Sequence, residues 1–317
     1  MRAMPSSVGC ASIADPRFPG RRRPRHARLK ALAIRRSPAR QPFSGIGTFL
    51  LFAVGLPFSI AAAAEDATLS LRPAHGMDRA ELRYVPPASP PRAVLVLCPG
   101  VNGDGGSLIQ QKAWRTFAQS HRLGLVGLSF ASPQHLLSGG TGYYHASQGS
   151  GDLLLEGIRT IYRCDPPLLL YGISGGAHFT SRFTEWKPRR VASWCAYAAG
   201  WWDVPRASTD SPPGIVACGE DDPRYGATLI YFKQGRAAKK PWLWVSVPKT
   251  GHTASPALED FVREYFSQIL SAAGSPAVIV DIDRETLVPA AEDLPASLTA
   301  VLPSCDLLDS WKKIHEP

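Results

Sequence analysis

Short apolar or alternating runs and segments of helical periodicity follow one another along the chain from residue 67 onward. Residues 67–71 and 80–85 alternate polar and apolar positions, as half-exposed antiparallel strands do. Residues 93–98 are apolar throughout, which is typical of a central strand covered on both faces. Similar runs predict the remaining strands, at 123–130, 168–171, 191–199, 215–218 and 242–247.

Between these runs, apolar residues recur at the spacing of a helix. In 152–162, for example, Leu153, Leu154, Ile158 and Ile161 fall on one helical face. Equivalent segments predict further helices, at 107–119, 176–186, 224–235 and 256–271. Strands that alternate with helices imply βαβ units, so we expect an α/β fold with a mostly parallel, eight-stranded sheet and helices on both faces.

The first 64 residues have a different character and predict an export leader. A basic stretch precedes the apolar run 46–60, which ends in four alanines before Glu65. A basic flank, an apolar segment and a small-residue exit are the parts of a cleaved signal, so we expect a periplasmic or secreted protein. The alternative is an uncleaved segment that anchors the protein in a membrane. The leader or anchor is the only membrane contact that we expect.

The remaining chain divides into a catalytic domain and a tail. We assign residues 65–275 to the domain and 276–317 to a tail that packs on it or is partly disordered. Within the tail, 278–280 is a candidate strand and 307–314 a candidate helix. Residues 200–213 are the only connection between two late strands, which is too short for a large cap domain.

Charge and cysteine spacing exclude two classes of function. The formal net charge of +9 comes from the leader, which holds 11 of the 35 lysines and arginines but a single acid. Beyond it, 24 basic residues face 25 acidic ones, so composition offers no basic patch for nucleic acid. No Cys or His spacing predicts a metal site, and we expect no cofactor.

The strongest local motif is Gly172-Ile173-Ser174-Gly175-Gly176, placed between a predicted strand and a predicted helix. A serine on such a tight strand-to-helix turn projects its hydroxyl out of the sheet and is a candidate nucleophile. Small neighbours are needed because the turn is strained and crowded. The backbone N–H of Gly175 is then free to bind an oxyanion.

Two partners for Ser174 follow later strands. Residues 219–223 contain three acids after the strand 215–218, and we choose Asp222 over Asp221 and Glu220 by its spacing from the strand. His252 lies after the strand 242–247, where a loop histidine can reach both the serine and the acid. The order serine, acid, histidine suits a catalytic triad on a parallel sheet.

The glycine-rich loop 99–106 follows the first central strand. It lacks the lysine and hydroxyl residue of a phosphate-binding loop. In this topology it supplies the second oxyanion donor, for which we choose the backbone N–H of Val101, with Asn102 as the alternative. Losing one such donor costs about 3 kcal/mol of transition-state stabilisation.

Aromatic residues are predicted to border the site. Trp201 and Trp202 follow a strand end, and Tyr144 lies in the loop after residue 130. His178, four residues beyond Ser174, either packs on the helix or lines the pocket. We therefore predict Trp201, Trp202, Asn102, Tyr144 and His178 as substrate-binding residues, suited to an apolar or aromatic group.

Taken together, the runs 99–103, 171–177, 199–202, 219–222 and 251–252 resemble the α/β-hydrolase superfamily. The resemblance is strongest to the exported esterases around polyhydroxybutyrate depolymerases, feruloyl esterases and dienelactone hydrolases, and it covers about residues 80–271. It implies hydrolysis of a carboxylic ester, small or polymeric, through an acyl-enzyme without a cofactor. The sequence departs from the common pattern at residue 99, a proline where a histidine often precedes the oxyanion glycine.

Two other functions remain open on the sequence. A peptidase or an acyltransferase can use the same triad, and a non-catalytic protein can keep the fold as a binding module. A broken triad would indicate the binding module, whereas all three members are present here.

Overall fold

The structure is a computed structural model that describes residues 65–271, 277–289 and 292–316. The predicted leader, residues 1–64, lies outside this range. No helix in the described part of the chain is both long and apolar enough to cross a membrane.

Eight strands build the main sheet. They are β1 (Ala67–Ser70), β2 (Arg79–Tyr84), β3 (Val94–Cys98), β4 (Gly124–Ala131), β5 (Leu168–Ile173), β6 (Val191–Tyr197), β7 (Gly214–Gly219) and β8 (Trp242–Val247). Their order across the sheet is β1-β2-β4-β3-β5-β6-β7-β8. Strand β2 pairs antiparallel with both β1 and β4, and all pairs from β4 to β8 are parallel.

Eight helices connect or cover these strands. They are α1 (Gly106–Ile109), α2 (Lys112–Ser120), α3 (Gln134–Ser138), α4 (Ser150–Tyr162), α5 (Gly175–Trp186), α6 (Tyr225–Ala237), α7 (Pro256–Ser271) and α8 (Leu308–His315).

The helix predicted over 107–119 is wrong in one respect, because α1 and α2 are separate. Gln111 between them has an extended backbone, with φ −62° and ψ 123°. Helix α1 begins directly after Gly105, whose backbone lies against that of Gly127 on β4. Helix α2 buries Trp114 and Phe117 in the core.

The central strands are buried from end to end, which explains their uninterrupted apolar sequences. Every residue of β3, β7 and β8 is buried, so both faces of the sheet are covered. Residues 198–213, the whole connection from β6 to β7, contain no helix or strand. These observations confirm the predicted α/β class with a mostly parallel sheet and no large cap domain.

The described part of the tail forms a second, smaller sheet and the last helix. Strands β9 (Val278–Asp281), β10 (Thr286–Leu287) and β11 (Thr299–Leu302) pair antiparallel in the order β10-β9-β11. The sheet and α8 both contact β8.

Helix α8 binds the free edge of β8 through side chains. Trp311 donates from Nε1 to the backbone oxygen of Trp244 (2.8 Å), and the N–H of Ser246 donates to Nε2 of His315 (3.2 Å). These two backbone groups face away from β7, so α8 satisfies an edge that would otherwise be open.

Candidate active site

Ser174 stands on a strained turn between β5 and α5. Its backbone has φ 53° and ψ −114°, a conformation that non-glycine residues rarely adopt. Its N–H donates to the backbone oxygen of Tyr197 at the end of β6 (2.8 Å), which anchors the turn to the sheet. The hydroxyl is thereby held at the carboxyl edge of the sheet.

The glycines around Ser174 are required by close backbone contacts. A Cβ atom at Gly172 would lie 2.4 Å from the oxygen of Gly176, and one at Gly176 would lie 2.0 Å from the oxygen of Cys98. Both distances are far below van der Waals contact. The motif therefore contains glycine because α5 begins directly against β5 and the end of β3.

Ser174, His252 and Asp222 form one hydrogen-bonded line. Nε2 of His252 lies 2.9 Å from Oγ of Ser174, and Nδ1 lies 2.7 Å from Oδ2 of Asp222. Asp222 is buried, whereas His252 is partly exposed. The structure thus brings together the three residues that the sequence predicted as a triad, on the loops after β5, β7 and β8.

The geometry also separates Asp222 from the two competing acids. Glu220 and Asp221 are both exposed, and Glu220 accepts a hydrogen bond from the hydroxyl of Ser246 (2.8 Å). Asp221 contributes its backbone N–H, which donates to the oxygen of Thr250 (3.0 Å). Only Asp222, among the three, faces the imidazole.

Hydrogen bonds keep Asp222 ionised. Burial alone would raise the pKa of its carboxyl group, but bonds from the backbone N–H of Arg224, from His252 and from the Arg224 guanidinium outweigh that effect. The pKa of Asp222 consequently lies below its ordinary value. A negative charge is then in place to stabilise a protonated His252.

Tyr197 is a positioning residue that the sequence analysis missed. Its backbone oxygen accepts from the N–H of Ser174, and its hydroxyl donates to the backbone oxygen of Thr253 (2.8 Å). One buried residue on β6 therefore links the serine turn, through its backbone, to the loop of His252, through its side chain. No local sequence signal distinguishes Tyr197 from the other apolar residues of this strand.

The predicted oxyanion donors lie next to each other. The position that a Cβ atom would take at Gly175 is 2.6 Å from the backbone nitrogen of Val101. As the first residue of α5, Gly175 has no intrahelical acceptor for its N–H. The N–H of Asn102, the alternative donor, is occupied because it donates to Oη of Tyr143 (3.1 Å). The geometry favours Val101.

Asn102 holds the 99–106 loop on the segment after β4. Its amide nitrogen donates to the oxygen of Ser132 (3.0 Å), and its amide oxygen accepts from the N–H of Ser132 (3.0 Å). These bonds give Asn102 a positioning role, and its predicted contact with a substrate stays a prediction.

Tyr144, His178 and Trp201 form a layered aromatic wall. The His178 ring lies 4.6 Å from that of Tyr144 and 4.1 Å from that of Trp201. Trp201 is 40% exposed, whereas Tyr144 and His178 are buried. The wall therefore presents Trp201 to solvent.

His178, predicted as a substrate-binding residue, is buried within this wall and has only 3% of its surface exposed. Its Nε2 accepts from the N–H of Gly200 (3.0 Å). Burial and the nearby Arg182 lower its pKa to about 3, so it stays neutral at physiological pH. A bidentate ion pair of Arg182 with Asp203 (2.8 Å for each bond) holds the Trp201 loop on α5.

Trp202 was predicted beside the substrate and packs elsewhere. Its ring stacks on Tyr231 of α6 at 4.3 Å, and its Nε1 donates to the hydroxyl of Thr228 (3.1 Å). Trp201 and Trp202 are adjacent in the chain, but their rings lie against different neighbours, His178 and Tyr231. Only Trp201 joins the aromatic wall.

Within the described ranges, no group of three or more His, Cys, Asp or Glu residues is placed to hold a metal ion. The five cysteines of the described chain carry free thiols, and three of them are buried in strands.

No protein-family model and no curated protein sequence matches the chain. Among solved structures, it is similar to a ferulic acid esterase, with a TM-score of 0.51 and 14% identity over 65% of this chain and 96% of the other. A poly(3-hydroxybutyrate) depolymerase from Bordetella parapertussis aligns at TM-score 0.49 and 18% identity, over 64% of this chain and 90% of the depolymerase. A fluorophosphonate-binding serine hydrolase of Staphylococcus aureus aligns at TM-score 0.49 and 13% identity, over 66% and 99%.

The first of these structures establishes the fold. The chain has the α/β-hydrolase fold, and the resemblance drawn from its motifs is confirmed at that level.

Proposed function

We propose that the protein is a serine hydrolase that cleaves a carboxylic ester through an acyl-enzyme on Ser174. One observation carries the proposal, namely the unbroken line from Asp222 through His252 to Ser174, with contacts of 2.7 and 2.9 Å. Both distances allow proton transfer or strong hydrogen bonding without any movement of the chain.

The chemistry follows from these positions. Nε2 of His252 removes the proton of Ser174 as Oγ attacks the ester carbonyl carbon, and Asp222 stabilises the imidazolium that forms. The N–H groups of Val101 and Gly175 bind the oxygen that becomes negative. His252 then gives its proton to the departing alcohol. A water molecule, deprotonated by the same histidine, attacks the acyl group and releases the acid and free Ser174.

The surroundings of the site support an ester with an apolar or aromatic group. The described connection from β6 to β7 contains no helix or strand, and the exposed ring of Trp201 offers a flat surface next to the site. An open site accepts a small ester or the end or side of a polymer. The peptidase, acyltransferase and binding-protein alternatives use the same fold, and the experiments below separate them.

The first test is covalent labelling with a fluorophosphonate. We expect the folded protein to carry one adduct, on the peptide that contains Ser174, when the intact protein and its digest are measured by mass spectrometry. The S174A variant and the heat-unfolded protein are the controls, and neither should be labelled. A folded protein that stays unlabelled would favour the binding module.

A substrate panel follows on the same sample. The panel compares the hydrolysis of short acyl esters, feruloyl-type esters and an amide of matched shape. An added alcohol serves as the acceptor that reveals acyl transfer. Ester hydrolysis well above amide cleavage, with no preference for the alcohol over water, is the expected result. Dominant amide cleavage or dominant transfer would replace the esterase by the peptidase or the acyltransferase.

We also propose export, on the basis of the leader sequence alone. The expected result is a mature protein that begins near Glu65, read by amino-terminal sequencing of protein from a cell fraction outside the cytoplasm. The matched control extends the apolar run by replacing the four alanines 61–64 with leucines, which should block cleavage. An intact amino-terminus in the membrane fraction of the unaltered protein would support the anchor instead.

A further inference from the structure

A side-chain hydroxyl stands beside the two backbone donors of the oxyanion site. The position that a Cβ atom would take at Gly175 lies 2.9 Å from Oη of Tyr144, as well as 2.6 Å from the nitrogen of Val101. The backbone N–H of Gly175 is also close by, because it belongs to the same residue as this Cβ position. Three hydrogen-bond donors therefore lie close together around Gly175, the residue that follows Ser174.

The packing of Tyr144 fixes its hydroxyl at that place. The residue is 4% exposed, and its ring is stacked on His178 with an interplanar angle of 22°. On another side the ring of Tyr143 meets it edge-on, at 4.8 Å between centroids. Because neighbouring rings pack against it on two sides, the Tyr144 ring cannot move away when a substrate binds. Its hydroxyl is therefore in place before the reaction, as a contact to the transition state requires.

The neighbouring groups leave the proton of Tyr144 available. The N–H of Asn102 donates to Oη of Tyr143 and so is not directed at the hydroxyl of Tyr144. Burial raises the pKa of Tyr144, and its hydroxyl keeps its proton at neutral pH.

We propose that the hydroxyl of Tyr144 is a third donor to the oxyanion, acting with the N–H groups of Val101 and Gly175. The inference rests on the proposed function, since it names a further catalytic residue of the same site. In the step that it serves, Tyr144 donates a hydrogen bond to the former carbonyl oxygen and transfers no proton. The bond strengthens as negative charge develops on that oxygen and weakens when the carbonyl reforms.

This role differs from that of a passive wall. An apolar wall needs only the ring, which phenylalanine supplies equally well. An oxyanion donor needs the oxygen, whose loss affects the transition state more than the bound ester. The Y144F variant therefore separates the two roles while it preserves the packing against His178.

The test compares Y144F with the unaltered protein on the best ester of the panel. We expect kcat to fall about 10- to 1000-fold with KM changed less than about threefold, as for the loss of one oxyanion donor. A peptidyl or alkyl boronic acid, which forms a tetrahedral adduct with serine, should bind weaker by a similar factor. A product acid, which is not tetrahedral, should bind as before.

The control is Y162F, which removes a tyrosine hydroxyl from α4 beside Gly124, at the other end of β4. It should keep full activity, and melting temperatures of all three proteins show whether the fold is intact.

Two failures are distinguishable. If the unaltered protein neither takes the fluorophosphonate label nor hydrolyses any ester, the proposed function fails and this inference with it. If the unaltered protein does both and Y144F matches its kcat, or loses activity only through KM, the proposed function stands and the third donor is wrong.

Discussion

Changing Asp222 to asparagine is expected to lower kcat by about 10⁴-fold while the protein stays folded. The carboxylate accepts the bond from Nδ1 of His252, and this bond directs Nε2 at Ser174 with its lone pair free. An amide has no charge to stabilise the imidazolium and can turn its NH₂ group toward the ring. The histidine would then present the wrong tautomer to the serine.

The stability of the variant should change with pH in a defined way. The pKa of Asp222 is held below its ordinary value, so its ionised form stabilises the fold at neutral pH and this contribution is lost as the pH falls through the folded-state pKa. D222N lacks that contribution at every pH. The free energies of unfolding of the two proteins should therefore converge as the solution is acidified.

The matched control is one residue away. Asp221 is exposed and serves the loop through its backbone N–H, so D221N should keep kcat within about twofold. Steady-state kinetics on one ester, with circular dichroism of each variant, are sufficient. Equal losses in both variants would contradict the assignment of Asp222 as the triad acid.

The second large effect concerns stability. G176A is expected to lower the free energy of unfolding by at least about 3 kcal/mol, or to prevent soluble expression. The new methyl carbon would lie 2.0 Å from the backbone oxygen of Cys98 and 2.6 Å from that of Pro99. Backbone at the end of a central strand cannot rotate away as a flexible side chain does. Helix α5 would have to leave the sheet and take Ser174 with it.

Gly226 provides the comparison, because a Cβ atom there has no heavy atom within 4 Å. It lies in the first turn of α6, where alanine fits a helix better than glycine does. G226A should therefore leave the free energy of unfolding unchanged or raise it by up to about 1 kcal/mol. Urea denaturation of the three proteins measures both effects. An active G176A protein of normal stability would show that α5 can shift without loss of the site.

The sequence predicted the strands and helices well where the pattern of buried residues is compatible with a single secondary structure. Strand β8 and helix α7 were predicted at the bounds observed, because a run of five apolar residues and one serine and a long amphipathic segment each suit one environment. The break between α1 and α2 was not predicted. The break lies at Gln111, whose extended backbone no local sequence signal indicated.

The site shows the same division. The positions of Ser174, Asp222 and His252 follow from strand order, since the carboxyl ends of parallel strands meet at one edge. The functions of Asn102 and Trp202 could not be read in this way. Each of these side chains could face a substrate or pack inside the protein. The outcome depends on partners that are close only in the folded chain, Ser132 for Asn102 and Tyr231 for Trp202.

Helix α8 follows every strand of the main sheet in the chain, so β8 is synthesised before the helix that covers its edge. The hydrogen bonds of Trp311 and His315 with β8 can therefore form only after the main sheet is complete. A product that lacks α8, through a premature stop codon or proteolysis, would leave the edge of β8 uncovered, able to pair with a second copy and to start aggregation.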